Sequence, residues 1–177
     1  MATFSIDQLR SLPDYQKVTK WDMRFLSLPV VGALAIPAAD LLNLRCETIE
    51  IPQKSNEKIE VAIRGHKTFH AGITTYNGTM NVTFTETVDN TIKNFFKAWS
   101  ELVYGTRTGT AFAKAEYEGV MQITLLDAQD RPVYSYIMYG VWPEAGDFGS
   151  LEGSSSEVQR PSITFSYDFY TEAPLRI

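Results

Sequence analysis

The chain is poor in the residues that carry most enzyme chemistry. A single cysteine, Cys46, among 177 residues excludes an intrachain disulfide framework and any multi-thiolate metal site. Two histidines leave little material for an imidazole cage. Their i, i+4 spacing at His66 and His70 would suit a metal on a helix, yet Gly65 precedes them and no third ligand lies near. The basic surface needed to neutralise phosphates is missing too: 16 Lys and Arg face 21 Asp and Glu, a formal charge of −5. There is no long apolar run. The most apolar stretch, 26–44, is cut by Pro29 and Pro37 and contains Asp40, so it is too interrupted for a membrane span. Asp7 sits where a signal peptide would want bases and an apolar core, which favours a chain that stays in the cytoplasm when made. No nucleophile elbow or phosphate loop is present. Asp147-Phe148-Gly149 copies a kinase triplet without the glycine-rich and catalytic loops that give it meaning. Glu116, Glu118, Asp127 and Asp130 read as turn acids. Neither an enzyme nor a cofactor or metal site is expected.

What the sequence does contain is strand and one strong helix. At 44% hydrophobic, it can fill a core of its own. Residues 1–20 read as a polar N-terminal leader, with a short helix near 6–12, and 21–177 as a single domain. Apolar residues at 21, 23 and 25 give a first strand. Residues 30–40 are small and apolar and suggest a packed loop. Alternation over 42–46 changes parity at Ile49 and Ile51, which calls for a bulge near 47–48. Cys46 is expected as a small core residue on that strand. A polar loop over 52–57 precedes a strand through Ile59, Val61 and Ile63.

Met80, Val82 and Phe84 then alternate with Asn81, Thr83 and Thr85. Asp89 is a natural N-cap for a helix at about 89–103, where Ile92, Phe95, Phe96, Trp99 and Val103 form one stripe. Burying five such side chains is worth roughly 10 kcal/mol, so this helix must pack on a sheet. Met121, Ile123 and Leu125 make another strand, 127–132 a turn, and 133–142 a strand apolar on both faces. A Gly/Ser-rich loop over 143–159 leads to a last strand through Ile163, Phe165, Tyr167 and Phe169. About seven strands, one principal helix and no βαβ rhythm predict a mostly β, β-rich α+β fold: two packed antiparallel sheets forming a sandwich or barrel with one helix.

Two patterns bear on function. The polar strand positions Asn81, Thr83, Thr85, Gln122, Thr124, Thr164 and Ser166 are all uncharged. They fit either a plain solvated sheet face or a smooth hydrated wall along which something passes. The charge is also lopsided: residues 1–114 hold 11 acids and 13 bases, residues 115–177 hold 10 acids and three bases, giving +2 and −7.

The order of the segments resembles the tail tube proteins of contractile-tailed, T-even-type bacteriophages. It is carried by 46–52 (CETIEIP), 56–62 (NEKIEVA), 65–69 (GHKTF), 75–86 (TYNGTMNVTFTE), 95–99 (FFKAW), 140–143 (GVWP) and 165–168 (FSYD). The resemblance implies a non-enzymatic virion subunit with no cofactor, forming homo-hexameric rings that stack into a tube. It implies a tail sheath around the tube, baseplate and terminator proteins at its ends, and genomic DNA as cargo. It assigns the seven polar positions to the lumen. It also assigns Pro52, Asn56, Glu57, Lys58, His66, Lys67, Thr68, Phe69 and His70 to contacts between subunits. A baseplate tube initiator and the inner tube of a phage-derived injection or type VI secretion system share this architecture. A small-ligand-binding β-barrel is the rival of another class, and would show an apolar internal pocket.

Overall fold

A computed structural model describes residues 6, 10, 11, 15–29, 39–154 and 156–175. Most of the expected helix at 6–12 and most of the expected loop at 30–40 lie outside the described residues. Among the described residues the strands, in chain order, are β1 (Trp21–Ser27), β2 (Cys46–Ile49), β3 (Lys54–Ile63), β4 (His66–Tyr76), β5 (Thr79–Phe84), β6 (Gly119–Leu126), β7 (Pro132–Asp147), β8 (Ser162–Ser166) and β9 (Phe169–Pro174). Among the described residues the helices that join them are α1 (Ala39–Arg45), α2 (Thr91–Val103) and α3 (Lys114–Tyr117).

All strand pairs are antiparallel. β7 is the spine of the domain because it belongs to two sheets. Its first half pairs with β6 and β9, and β1 flanks β6, so that sheet reads β1-β6-β7-β9. Its second half pairs with β8, which continues through β5 to β2. The changeover falls at Gly140, whose φ is +67°, and a bulge follows between Pro143 and Ala145. An L side chain is strained at that φ, and a Cβ there would run into the Asp168 carboxylate. Asp168 itself is paired with Lys114.

The inner faces of both sheets share one core. Met23, Phe25, Met121, Ile123, Met138 and Val141 come from the first sheet, and Met80, Val82, Phe84, Ile163 and Phe165 from the second. α2 closes it with Ile92, Phe95, Phe96 and Trp99, all buried, while Val103, the last residue of the stripe, is only half-buried. Phe165 meets the edges or tilted faces of Phe25, Phe96 and Trp99 at 5.6–6.0 Å between ring centres. The Trp99 indole donates to the Tyr117 carbonyl at 2.7 Å.

The helix begins differently from the expectation. Asn90, not Asp89, is the residue before the first turn, and it takes a left-handed conformation with no side-chain cap. Glu86 does the capping from four residues further back. Its Oε1 accepts the amides of Thr87 (2.9 Å) and Ile92 (3.0 Å), and its Oε2 accepts that of Lys93 (2.9 Å). Thr87 Oγ1 accepts the Thr91 amide at 3.1 Å, so the first amides of α2 all find oxygen.

Other differences trace to pairing that alternation cannot show. Residues 42–45 belong to α1, and the strand starts at Cys46, although the expected bulge is present between Cys46 and Thr48. The expected polar loop at 52–57 is strand from Lys54, and 66–76 is its partner strand; Arg64 and Gly65 supply the two positive φ values of the turn between them. β7 runs to Asp147, which shortens the loop expected over 143–159. The single expected last strand is two, since the chain leaves the second sheet after Ser166 and joins the first at Phe169.

Candidate assembly surfaces

The two sheets turn their outer faces away from the common core, so their polar positions fall on separate surfaces. On the second sheet, Asn81 lies opposite Thr164, Thr83 opposite Ser162, and Thr79 opposite Ser166. The Thr164 hydroxyl donates to Asn81 Oδ1 at 2.7 Å. Thr48 extends the row on β2, and Ala145 and Trp142 extend it on β7. Acids stand at its margins. Glu50 Oε2 accepts both nitrogens of Asn81 at 2.9 and 3.1 Å, and Asp147 lies opposite Ser162. No Lys or Arg stands among these paired positions. Asn81, Thr83, Thr164 and Ser166 are thus brought together, with Thr85 one residue past the end of β5.

Gln122 and Thr124 are not part of that surface. They face outward from the first sheet, opposite Ile137 and Ser135 on one side and Arg24 and Asp22 on the other. Gln122 donates to Ser135 Oγ at 2.8 Å, and Arg24 pairs with Asp22 at 2.9 Å. The two groups of polar positions therefore lie on different sheets.

The positions assigned to subunit contacts fall on a β-hairpin that stands apart from both sheets. β3 and β4 pair only with each other. Every residue of β3 is exposed, and at about 3.3 Å per residue the arm is roughly 30 Å long. Pro52 is buried at its base. Asn56 accepts the Thr74 hydroxyl at 2.7 Å, and Glu57 meets Gly72 where the register shifts. The arm has two unlike faces. Lys58 lies over the Phe69 ring at 3.6 Å and Lys67 pairs with Glu60 at 2.6 Å on one face. The other carries Ile59, Val61 and Ile63 opposite His70, Thr68 and His66. Thr68 donates to the Val61 carbonyl at 3.3 Å, and the two histidines sit on the same apolar face as Ile59 and Ile63. A two-stranded ribbon with such a face is marginal alone in water. Among the described residues, no group of three or more His, Cys, Asp or Glu is placed to hold a metal.

Sequence reasoning missed a groove of about 680 Å³ between the edges of β1 and β2, lined by Trp21, Ile49, Ile51, Ile123 and Leu125 among others. Cys46 also lines it, and burial pushes its thiol up to about 12, which disfavours the thiolate. The groove lies at the sandwich edge. Nothing in the alternation of either strand alone signals a gap between them.

A filled sandwich with open strand edges, an uncharged outer face and a free arm defines a β-sandwich building block. The chain belongs to the phage tail tube protein family, whose sequence model matches residues 18–173. It is therefore a structural tube component and a part of a tail. No curated protein sequence matches the chain. Its fold is similar to several solved structures. One is a chain of the anti-feeding prophage baseplate, in a cryo-EM structure described as 6-fold symmetrised. It is 14% identical, with 94% of this chain and 99% of that one covered and a TM-score of 0.61. A chain of an extracellular contractile injection system, in the PVC sheath-tube complex in its extended state, is 11% identical, with 98% and 100% covered and a TM-score of 0.63. A chain of the anti-feeding prophage tube terminating cap is also 11% identical, with 93% and 95% covered and a TM-score of 0.67.

Proposed function

We propose that this chain is the repeating subunit of the inner tail tube. Six copies form a ring, rings stack, and the lumen conducts genomic DNA during ejection. The outer face of the β7-β8-β5-β2 sheet lines that lumen, and the edges of β2 and β7 pair with neighbours so that the wall closes without free edges. Asn81, Thr83, Thr164 and Ser166 then hydrate the cargo. A wall without cations lets DNA slide, because each fixed cation would release counterions and add affinity. Acids at the margins add repulsion. The first sheet, with Gln122 and Thr124, is left for other contacts.

The observation that carries this reading is the free β3-β4 arm. It exposes Ile59, Val61, Ile63, Phe69 and Ile73 on a ribbon whose two strands pair only with each other. A second copy is the occupant that a repeating tube supplies, and His66, Lys67, Thr68, Phe69 and His70 are then interface residues. A sheath surrounds the tube, baseplate and terminator proteins meet its ends, and assembly takes place in the host cytoplasm. Negative-stain microscopy of the purified protein tests this: rings or tubes of uniform bore support it, and a monomer persisting at high concentration overturns it.

A further inference from the structure

The arm touches the body at its root, and the contacts there are of a particular kind. Lys54 opens β3 and Tyr76 closes β4, directly opposite each other. Both meet β9. Lys54 Nζ lies 2.6 Å from Glu172 Oε1, and the Tyr134 hydroxyl donates to Glu172 Oε2 at 3.2 Å. The Tyr76 ring stands edge-on to Tyr170 at 5.5 Å, and Lys54 lies 5.7 Å over the same Tyr170 ring. Tyr136 and Tyr167 pack around Tyr170 at 6.3 Å each. The Asn77 amide donates to the Gln53 carbonyl at 3.0 Å and closes the root.

An ion pair this open to water, with side chains 48% and 31% exposed, adds little to global stability. Its geometry does something else. Pairing draws the Lys54 ammonium above its ordinary range and the Glu172 carboxyl below its own, each chiefly through their mutual hydrogen bond. The ammonium is therefore held between one carboxylate and one ring, and the carboxylate between one ammonium and one hydroxyl. An arm of roughly 30 Å amplifies any slack there: a swing of about 10° moves its tip about 5 Å, close to the spacing between paired strands.

We propose that Lys54 and Glu172, backed by Tyr134 and Tyr170, are positioning residues that fix the direction in which the β3-β4 arm leaves the body. The consequence for assembly rests on the tube reading; the fixed direction does not.

Spin labels at Arg64→Cys and Lys97→Cys, in a Cys46→Ser background dilute enough to be unassembled, report the tip-to-body distance by pulsed electron resonance. A single narrow distribution is expected. Lys54→Ala and Glu172→Ala should each at least double its width, with the melting temperature nearly unmoved, and Lys54→Arg should keep it narrow. In the unlabelled protein, the two alanine variants should raise the concentration needed for tube formation about tenfold, and Lys54→Arg should not. A distribution already broad in the parent, or unchanged in both alanine variants, overturns the proposal. If either alanine variant fails to fold, the other and the arginine control still decide. Widths that change as expected while even the parent never forms tubes would leave the mount standing and remove the tube reading.

Discussion

Removing the Glu86 carboxylate tests where the start of α2 gets its support. Glu86→Ala would leave the Ile92 and Lys93 amides without an acceptor, and Ile92 is fully buried. A buried donor left unsatisfied costs about 1–3 kcal/mol; the Lys93 amide, nearer water, costs less. Losing the negative charge at the helix start adds about 0.5 kcal/mol. The sum is about 3 kcal/mol, which for a chain of this length lowers the melting temperature by about 6–12 °C. Glu86→Gln keeps one acceptor and should lose about half as much. Asp89 is the control. Its side chain caps nothing, so Asp89→Ala should cost under about 0.5 kcal/mol. Thermal unfolding followed by circular dichroism on dilute protein reads all three. If Asp89→Ala costs as much as Glu86→Ala, the capping argument is wrong.

Thr164→Lys would place six cations around each proposed ring, and assembled tubes carrying it should retain DNA at low salt and release it steeply as salt rises, where the parent binds weakly at all salts; equal retention by both would count against the lumen assignment. Gly140→Ala should cost about 2–3 kcal/mol, because it combines an unfavourable φ with a clash against Asp168, and denaturant unfolding measures it. The root of the arm should respond to pH at both extremes. Glu172 is held below its ordinary 4.5, so its contribution is complete above that value and is lost as pH falls through the lower, folded one. Lys54 is held above its ordinary 10.5, so its contribution is complete below that value and is lost as pH rises through the higher, folded one. Tyr134, Tyr136 and Tyr170 are all raised, chiefly by burial, and stay neutral across neutral pH. Hydrogen-exchange protection in the arm, corrected for the intrinsic pH dependence of amide exchange, should therefore be flat across neutral pH and fall in acid and in strong base.

The legible parts of this fold are those where local pattern and tertiary environment agree. The α2 stripe, the β5 alternation and the bulge beside Cys46 all depend on which side of an element is buried, and periodicity reports that directly. The arm was half legible. Ile59, Val61 and Ile63 alternate as a strand should, but the partner strand through His66 and His70 has no buried face, so nothing forces its apolar residues into register. Residues 42–45 misled because four residues of alternation fit a short helix as well as a strand. The cap failed for a related reason: Asp89 has the right chemistry at the right place, yet the left-handed Asn90 turns the chain so that Glu86 arrives first. Uncharged polar positions were visible in the sequence; that they divide between two sheets was not, because the division depends on β7 changing partners at Gly140.

The acidic balance of the chain takes a different meaning once the faces are separated. The surface assigned to the lumen lacks cations locally, whatever the net charge elsewhere. A cryo-EM reconstruction of tubes grown from the purified protein tests this most directly. The account expects stacked six-fold rings with Asn81, Thr83, Thr164 and Ser166 facing the channel and the β3-β4 arm lying on a neighbouring copy. A channel lined instead by Gln122 and Thr124, or an arm that touches no other subunit, would contradict it.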